Sequence, residues 1–325
     1  MGRKVRMTAL KISPPQGFLK DEPRTIVVSA ERKALWAVLL DLAQTFDRVC
    51  RAHGIRYFID GGTLLGAVRH RGFVPWDDDF DVVMDRGEYE RLCAIAPTAF
   101  EPPYFFQTDE TDPGSARGHA QLRNSDTTAI LKAEMANGKP IYSFNQGVFV
   151  DIFPFDNVPD DPAERERFLR ALAANRHRVQ VAKRAWIALR RPLFSLRHPG
   201  QWMDLVRGIR DGIIDLFARV GTVSRKVRAM ERLARKYERC KTKFKAPVAL
   251  APYHREVLPA VFFRDDPVDL GFEFLTLPAM RRHLEVLEIN YGNWRKQVVS
   301  ANEHGGLFVD LDHPYTHYLT EDDRR

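Results

Sequence analysis

The segment from Ser29 to Ala96 alternates between helical and strand-like hydrophobic patterns, and this alternation limits the possible folds more than any other feature. Apolar residues recur at helical spacing from Leu35 to Val49, with Ser29 placed to cap the helix and Gly54 placed to end it. The apolar strands IRYFID and FDVVMD follow, separated by a short helix, and EYERLCAIA continues as another helix. This order predicts an α/β fold in which helices flank a mixed sheet.

The rest of the chain adds further strands and a long helical region. Four strands are predicted between residues 100 and 160, in YFFQ, HAQLR, TTAIL and VFVDIF. Residues 161–245 have mostly helical patterns, and a strand and a helix follow in FEFLTLPAMRRHLEVLEINYG. We therefore divide the chain into a lead-in (1–29), an α/β core (30–160), a basic helical region (161–245) and a C-terminal segment that completes the core (246–325).

Positive charge is concentrated in the helical region. Residues 162–245 carry 23 lysines and arginines against seven acidic residues, whereas the whole chain has a net charge of +7. An anionic partner and a solvated helical face both explain such a region, and we keep both interpretations. For the stretch ALRRPLFSLRHPGQW the alternatives are a core helix with a charged outer face and peripheral contact with an anionic membrane or a lipid-linked acceptor. No motif of a known RNA-binding module occurs, so nucleic acid is not an expected partner.

Four carboxylates occupy the five positions from Asp77 to Asp81 in PWDDDFDVVMD. Alternate side chains of a strand share a face, so Asp77, Asp79 and Asp81 are expected to project together. Like charges this close repel one another unless a cation lies among them, and carboxylate oxygens favour Mg²⁺ or Mn²⁺ over zinc. An EF-hand calcium loop is excluded because Val82 occupies the position that requires glycine. The isolated His119, by contrast, is interpreted as an ordinary polar residue rather than a ligand.

The sequence IRYFIDGGTLLGAVRHRGF places two glycines and a threonine between a strand and a helix. Gly61 and Gly62 would allow a phosphate to approach the N-terminus of the helix, and Thr63 would add a hydroxyl donor. Arg69 and His70 follow later in the helix and are expected to supply positive charge near that phosphate. A glycine pair alone indicates only a turn, but its combination with Asp-Phe-Asp on the next strand is far more specific.

The stretch GGTLLGAVRHRGFVPWDDDFDVVM closely resembles the signature of the LicD family, which includes bacterial phosphocholine transferases and the animal fukutin and fukutin-related proteins. The resemblance implies a nucleotidyltransferase fold in which Asp79 and Asp81 bind the metal, with Asp77 as a further candidate ligand. NQGVFVDIFPFDNVP resembles the second block of the family and implies Asp151 as the third carboxylate. QLRNSDTT resembles its Leu-Arg motif and implies that Arg123 lies near phosphate, and FEFLTLPAMRRHLEVLEINYGNW resembles the C-terminal block.

The resemblance implies an enzyme that transfers a phospho-alcohol group from a CDP-linked donor, such as CDP-choline, to a hydroxyl of a glycan or lipid-linked saccharide. The expected by-product is CMP, and the expected setting is the modification of cell-envelope polysaccharide. Two alternatives stay open: nucleotidyl transfer with release of pyrophosphate, and a non-catalytic protein that binds anionic glycan, lipid or nucleic acid. Three scattered cysteines and the lack of a long apolar run favour a cytoplasmic location, with the inner face of the membrane as the alternative.

Overall fold

The computed structural model describes residues 10–24, 26–136, 138–190, 223–247, 257–298 and 306–319. The described residues form six α-helices: α1 (Ala30–Ala52), α2 (Gly61–His70), α3 (Arg86–Ala99), α4 (Pro162–Arg190), α5 (Val223–Ala234) and α6 (His283–Tyr291). They also form fifteen strands: β1 (Glu22–Pro23), β2 (Val27–Val28), β3 (Phe58–Ile59), β4 (Asp81–Asp85), β5 (Tyr104–Gln107), β6 (Ala120–Asn124), β7 (Thr128–Leu131), β8 (Met135–Ala136), β9 (Lys139–Pro140), β10 (Val148–Val158), β11 (Phe244–Pro247), β12 (Leu258–Pro259), β13 (Val268–Phe272), β14 (Leu275–Ala279) and β15 (Leu307–Asp310).

Helix α1 is the central helix of the main hydrophobic core. The side chain of Ser29 accepts a hydrogen bond from the backbone N–H of Arg32 at 3.3 Å and caps the helix, as predicted. The chain turns at Gly54, whose φ of +59° is one that glycine adopts readily. Trp36 and Leu40 are completely buried, and the helix packs against β6, β10 and β14. The predicted helix and both of its end signals are therefore confirmed.

Seven strands form one mixed sheet around β10. Along one edge β10 pairs in parallel with β4, and β4 pairs antiparallel with β3. Along the other edge the first half of β10 pairs antiparallel with β6 and its second half pairs antiparallel with β11. Strand β5 continues the sheet beyond β6, and β12 continues it beyond β11. The predicted α/β fold with a mixed sheet is thus confirmed.

Strands distant in sequence complete this core. Strand β15 pairs with β7, and β13 and β14 form a hairpin. Its turn residue Glu273 donates its N–H to the carbonyl of Arg71 at 2.6 Å and accepts hydrogen bonds from the N–H of Phe73 and from Arg24. The hairpin therefore fixes the loop that leads from α2 towards the acidic sequence before β4.

The basic region contributes α4 and α5, which pack against each other and form a second small core. Residues 191–222 lie outside the described part of the chain, and so does most of the stretch ALRRPLFSLRHPGQW, including Arg191 and Arg197, for which two alternatives were given. Within the described ranges, no helix combines the length and the apolar composition needed to cross a membrane. The domain boundaries given above stay a prediction.

Candidate active site

The loop that precedes β4 carries three carboxylates with oxygen atoms within 4.8 Å of one another, those of Asp77, Asp78 and Asp79. Helix α1 fixes this loop, since Arg32 Nη1 and Trp36 Nε1 donate to the backbone carbonyl of Asp77 at 2.9 and 3.0 Å. Asp78 is buried, with a carboxylate oxygen 3.8 Å from Arg32 Nη1. The strand alternation expected for Asp77, Asp79 and Asp81 does not extend to Asp77 and Asp79, because β4 begins only at Asp81. Contacts with α1 fix Asp77 and Asp78 instead.

Strands β4 and β10 place Asp81 and Asp151 side by side. The two residues are partners in the parallel pairing, and the N–H of Asp151 donates to the carbonyl of Phe80 at 2.9 Å. Side chains of paired residues project from the same face of a sheet. The neighbours Val150 and Ile152 are completely buried and project from the opposite face. The structure therefore brings the two carboxylates together from separate strands.

The N-terminus of α2 lies against the same acids. Gly61 has a φ of +57°, and a Cβ atom at this position would lie 3.0 Å from Oδ2 of Asp81. A Cβ atom at Gly62 would lie 2.5 Å from Oδ2 of Asp77. The glycines thus allow two carboxylates to approach the positive end of the helix, where the sequence had suggested a phosphate. Thr63 is buried, and its hydroxyl oxygen accepts the N–H of Asp81 at 2.9 Å, so it fixes the start of β4.

Burial and mutual repulsion raise the pKa of two acids in this cluster, Asp81 and Asp77. For Asp81, burial is the largest cause, and the charges of Asp79 and Asp151 add to it. Burial also raises the pKa of Asp77, with a further contribution from Asp79. Burial raises the pKa of Asp60 to about 6, and its Oδ1 has no hydrogen-bond partner among the described residues. Sequence reasoning missed Asp60, although its position directly before the glycine pair was a usable signal.

Asp151 is the exception among these acids. Its Oδ1 lies 2.9 Å from Nε2 of His119 and accepts a hydrogen bond from Nε2 of Gln121 at 2.5 Å. Burial acts to raise the pKa of Asp151, but His119 and Gln121 outweigh burial and the pKa is lowered. The pKa of Asp151 is therefore lowered, whereas that of Asp81 beside it is raised. His119 is a site residue that sequence reasoning missed, because nothing in its sequence neighbourhood indicates contact with Asp151.

A family model described as LicD/FKTN/FKRP, nucleotidyltransferase domain, matches residues 54–184, a range that contains both acidic strands and the glycine pair. Residues 54–184, the LicD domain, therefore match this family. Similar proteins include the lipopolysaccharide cholinephosphotransferase LicD of Haemophilus influenzae, which is 31% identical over 150 residues, or 46% of this chain and 54% of that protein. The human and mouse ribitol 5-phosphate transferase FKRP are 47% identical over 57 residues, or 17% of this chain and 12% of each relative. The chain thus spans about half of the length of the bacterial relative and much less of the animal relatives.

Arg123 of this LicD domain lies where it cannot reach a phosphate. It is 1% exposed, and its guanidinium donates to Oε1 of Gln107 at 2.6 Å, to the carbonyl of Gly147 at 2.6 Å and to Oε1 of Gln121. Burial lowers its pKa to about 9, which leaves it charged at neutral pH. The expected phosphate contact does not fit this placement. Arg123 instead orients Gln121, which contacts Asp151.

Arg69 and His70 lie at the C-terminal end of α2. At 1.5 Å per residue, Arg69 is about 12 Å along the helix axis from Gly61, at the opposite end from the acids. Burial lowers the pKa of both side chains, and the charge of Arg24 acts on His70 as well. The structure therefore separates these two residues from the acidic centre of the LicD domain, whereas the prediction placed them beside a phosphate there.

The donor set of the LicD domain suits a hard divalent cation. Carboxylate oxygens from one loop and two adjacent strands converge, and the repulsion between them is the kind that Mg²⁺ or Mn²⁺ relieves. Oδ1 of Asp60, which has no hydrogen-bond partner among the described residues, and the close approach of two carboxylates to the glycines fit the same interpretation. The residues present thus fit the predicted metal, and its binding stays a prediction.

Proposed function

We propose that this LicD domain is a metal-dependent phosphotransferase that moves a phospho-alcohol group from a CDP-linked donor to a glycan hydroxyl and releases CMP. The observation that carries the proposal is the meeting of Asp81 and Asp151, in register on β4 and β10, with the loop acids Asp77 and Asp79 at the N-terminus of α2. The names of the relatives, a cholinephosphotransferase and a ribitol 5-phosphate transferase, support a phospho-alcohol as the transferred group.

In the proposed reaction an oxygen of the acceptor hydroxyl attacks the phosphorus that bears the alcohol, in line with the bond to CMP. One P–O bond forms, the P–O bond to CMP breaks with its electron pair leaving on CMP, and the hydroxyl proton passes to a carboxylate. A Mg²⁺ or Mn²⁺ ion held by Asp77, Asp79 and Asp81 would neutralise the diphosphate. His119 and Gln121 lower the pKa of Asp151 and favour its ionised form, which suits it to accept the proton or to complete the metal site.

The acceptor is proposed to contact the basic region, because the donor needs few cations once its diphosphate is neutralised. Arg225, Arg228 and Arg232 are exposed on α5 at positions that share one helical face. Apolar side chains on the other face of α5, among them Val227 and Met230, are buried. The exposed face therefore supplies positive charge to an anionic glycan without disturbing the packing of the helix.

The test is a donor screen with purified protein and Mg²⁺ or Mn²⁺, scored by CMP release and by the mass of the acceptor product. Asp79→Asn and Asp81→Asn should abolish transfer and keep the fold, because each removes a repelling charge. Asp85→Asn is the matched control, since Asp85 lies at the other end of β4 and pairs with Lys245 at 2.8 Å. Release of pyrophosphate would indicate nucleotidyl transfer instead. Full activity in both site variants would refute the proposed metal site.

A further inference from the structure

His119 occupies a half-buried position next to Asp151 and Phe153. Its ring lies 4.4 Å from the ring of Phe153, centroid to centroid, and its side chain is 10% exposed. Because the carboxylate only accepts, Nε2 of His119 carries the proton of the 2.9 Å hydrogen bond to Oδ1 of Asp151. The other ring nitrogen, Nδ1, is buried without a hydrogen-bond partner among the described residues. The polar contact that the structure assigns to this imidazole is therefore the one with Asp151.

The second donor to the same oxygen is Gln121, and its orientation is also fixed. Arg123 donates to Oε1 of Gln121, so the amide nitrogen must face Asp151. Both donors thus converge on Oδ1, and the described residues offer no donor to Oδ2. Two donors on one oxygen fix the rotation of the carboxylate and leave Oδ2 for a cation or a proton.

We propose that His119 is a positioning residue of the active site, which holds Oδ1 of Asp151 so that Oδ2 faces the metal. The inference rests on the proposed function for the identity of that metal. Ligating carboxylates are commonly held by such hydrogen bonds, and loss of one typically costs 10–100-fold in metal affinity or activity. If instead His119 served only to fill space against Phe153, any planar ring would replace it.

The decisive comparison is His119→Phe with His119→Gln. Phenylalanine keeps the ring and loses the donor, whereas the Nε2 of glutamine restores a donor at similar reach. Affinity for Mn²⁺, measured by titration in the absence of donor, should fall on the order of 10–100-fold in His119→Phe and stay within about threefold of the natural protein in His119→Gln. In an Asp151→Asn background, His119→Phe should add no further loss.

His313→Gln provides a control, because His313 pairs with Asp310 at 3.0 Å on a different strand, β15. It should leave Mn²⁺ affinity unchanged. If His119→Phe fails to fold, Gln121→Leu removes the other donor to the same oxygen and should weaken Mn²⁺ binding in the same direction. Natural affinity and turnover in folded His119→Phe, or equal losses in the phenylalanine and glutamine variants, would overturn the inference. Mn²⁺ binding without any transfer would refute the proposed function alone.

Discussion

Replacement of Arg123 separates a buried structural role from direct recognition of phosphate. In Arg123→Met the aliphatic part of the side chain stays, and the guanidinium with its hydrogen bonds is lost. Three acceptors then lose their donor in the interior: the side-chain oxygens of Gln107 and Gln121, and the carbonyl of Gly147. An exposed arginine that bound phosphate would leave no such acceptors behind.

The size of the effect follows from these contacts. A buried polar group without a partner costs about 1–3 kcal/mol, so three of them should lower the free energy of unfolding by about 3–9 kcal/mol. Domains are typically stable by only about 5–15 kcal/mol, so the variant should lose a large part of its stability. Arg123→Lys should lose less stability, because the ammonium group of lysine can still donate to some of the three acceptors.

Equilibrium unfolding in urea measures the loss, with the slope of the transition used to check that the unfolded state is unchanged. Arg56→Met is the control, since the 39% exposed Arg56 side chain also donates to backbone carbonyls, those of Phe263 and Arg264. It should cost less than about 1 kcal/mol. A loss below about 1 kcal/mol in Arg123→Met, together with weakened donor binding, would refute the buried role and restore the phosphate contact.

Three further predictions concern the acids, the glycines and the basic face. In the metal-free protein the raised pKa values of Asp60 and Asp81 mean that the folded state binds more protons than the unfolded chain above about pH 4. The melting temperature measured in the presence of a chelator should therefore fall as the pH rises from 4 through 6 to 8, and saturating Mg²⁺ should reverse the fall. A melting temperature that does not change with pH would contradict the clustering of these acids. Gly62→Ala should lower the rate of transfer on the order of 100-fold, because the new methyl group displaces the carboxylate of Asp77. Gly87→Ala should not lower it, because the atom nearest to the new methyl group, Oδ1 of Asp85, is 3.8 Å away. Equal rates for the two variants in kinetic assays would count against this reasoning. Neutralising the exposed face of α5 should reduce transfer to acceptor and leave donor hydrolysis intact, and equal loss of both would place that face at the donor.

Local patterns predicted the parts of the fold that depend on neighbours in sequence. The cap at Ser29, the turn at Gly54 and the strand that contains Asp151 follow from propensity and periodicity, which act within a few residues. The pairing of β10 with β11 joins residues about 90 positions apart, and no local pattern specifies such a pairing. The pairing of β10 with β11 therefore could not be predicted from the sequence alone.

The site shows the same division. Asp79 and Asp81 were predicted from the crowding of carboxylates next to an apolar strand, and Asp151 from the resemblance of its segment to the LicD family. His119 was missed, and the contact expected for Arg123 does not fit, for one reason: the role of each depends on residues distant in sequence. These are Asp151 for His119, and Gln107 and Gly147 for Arg123. A cationic residue in a motif suggests exposure, but pairing across β6 and β10 places Arg123 in the interior.

Packing, rather than attraction between the functional groups, must assemble a centre whose acids repel one another. Side chains alternate between the two faces of β10, so a slip of one residue would turn Asp151 into the core and a buried apolar side chain towards the acids. Val150 and Ile152, on either side of Asp151, are completely buried. The slip would move an apolar side chain out of the core and bury the carboxylate of Asp151 in its place, and both changes are unfavourable. The apolar neighbours therefore enforce the register that brings Asp151 beside Asp81. The fold thus keeps the repelling carboxylates close together. A cation bound among them would relieve this repulsion, and the relief would add to the affinity of the site for the cation.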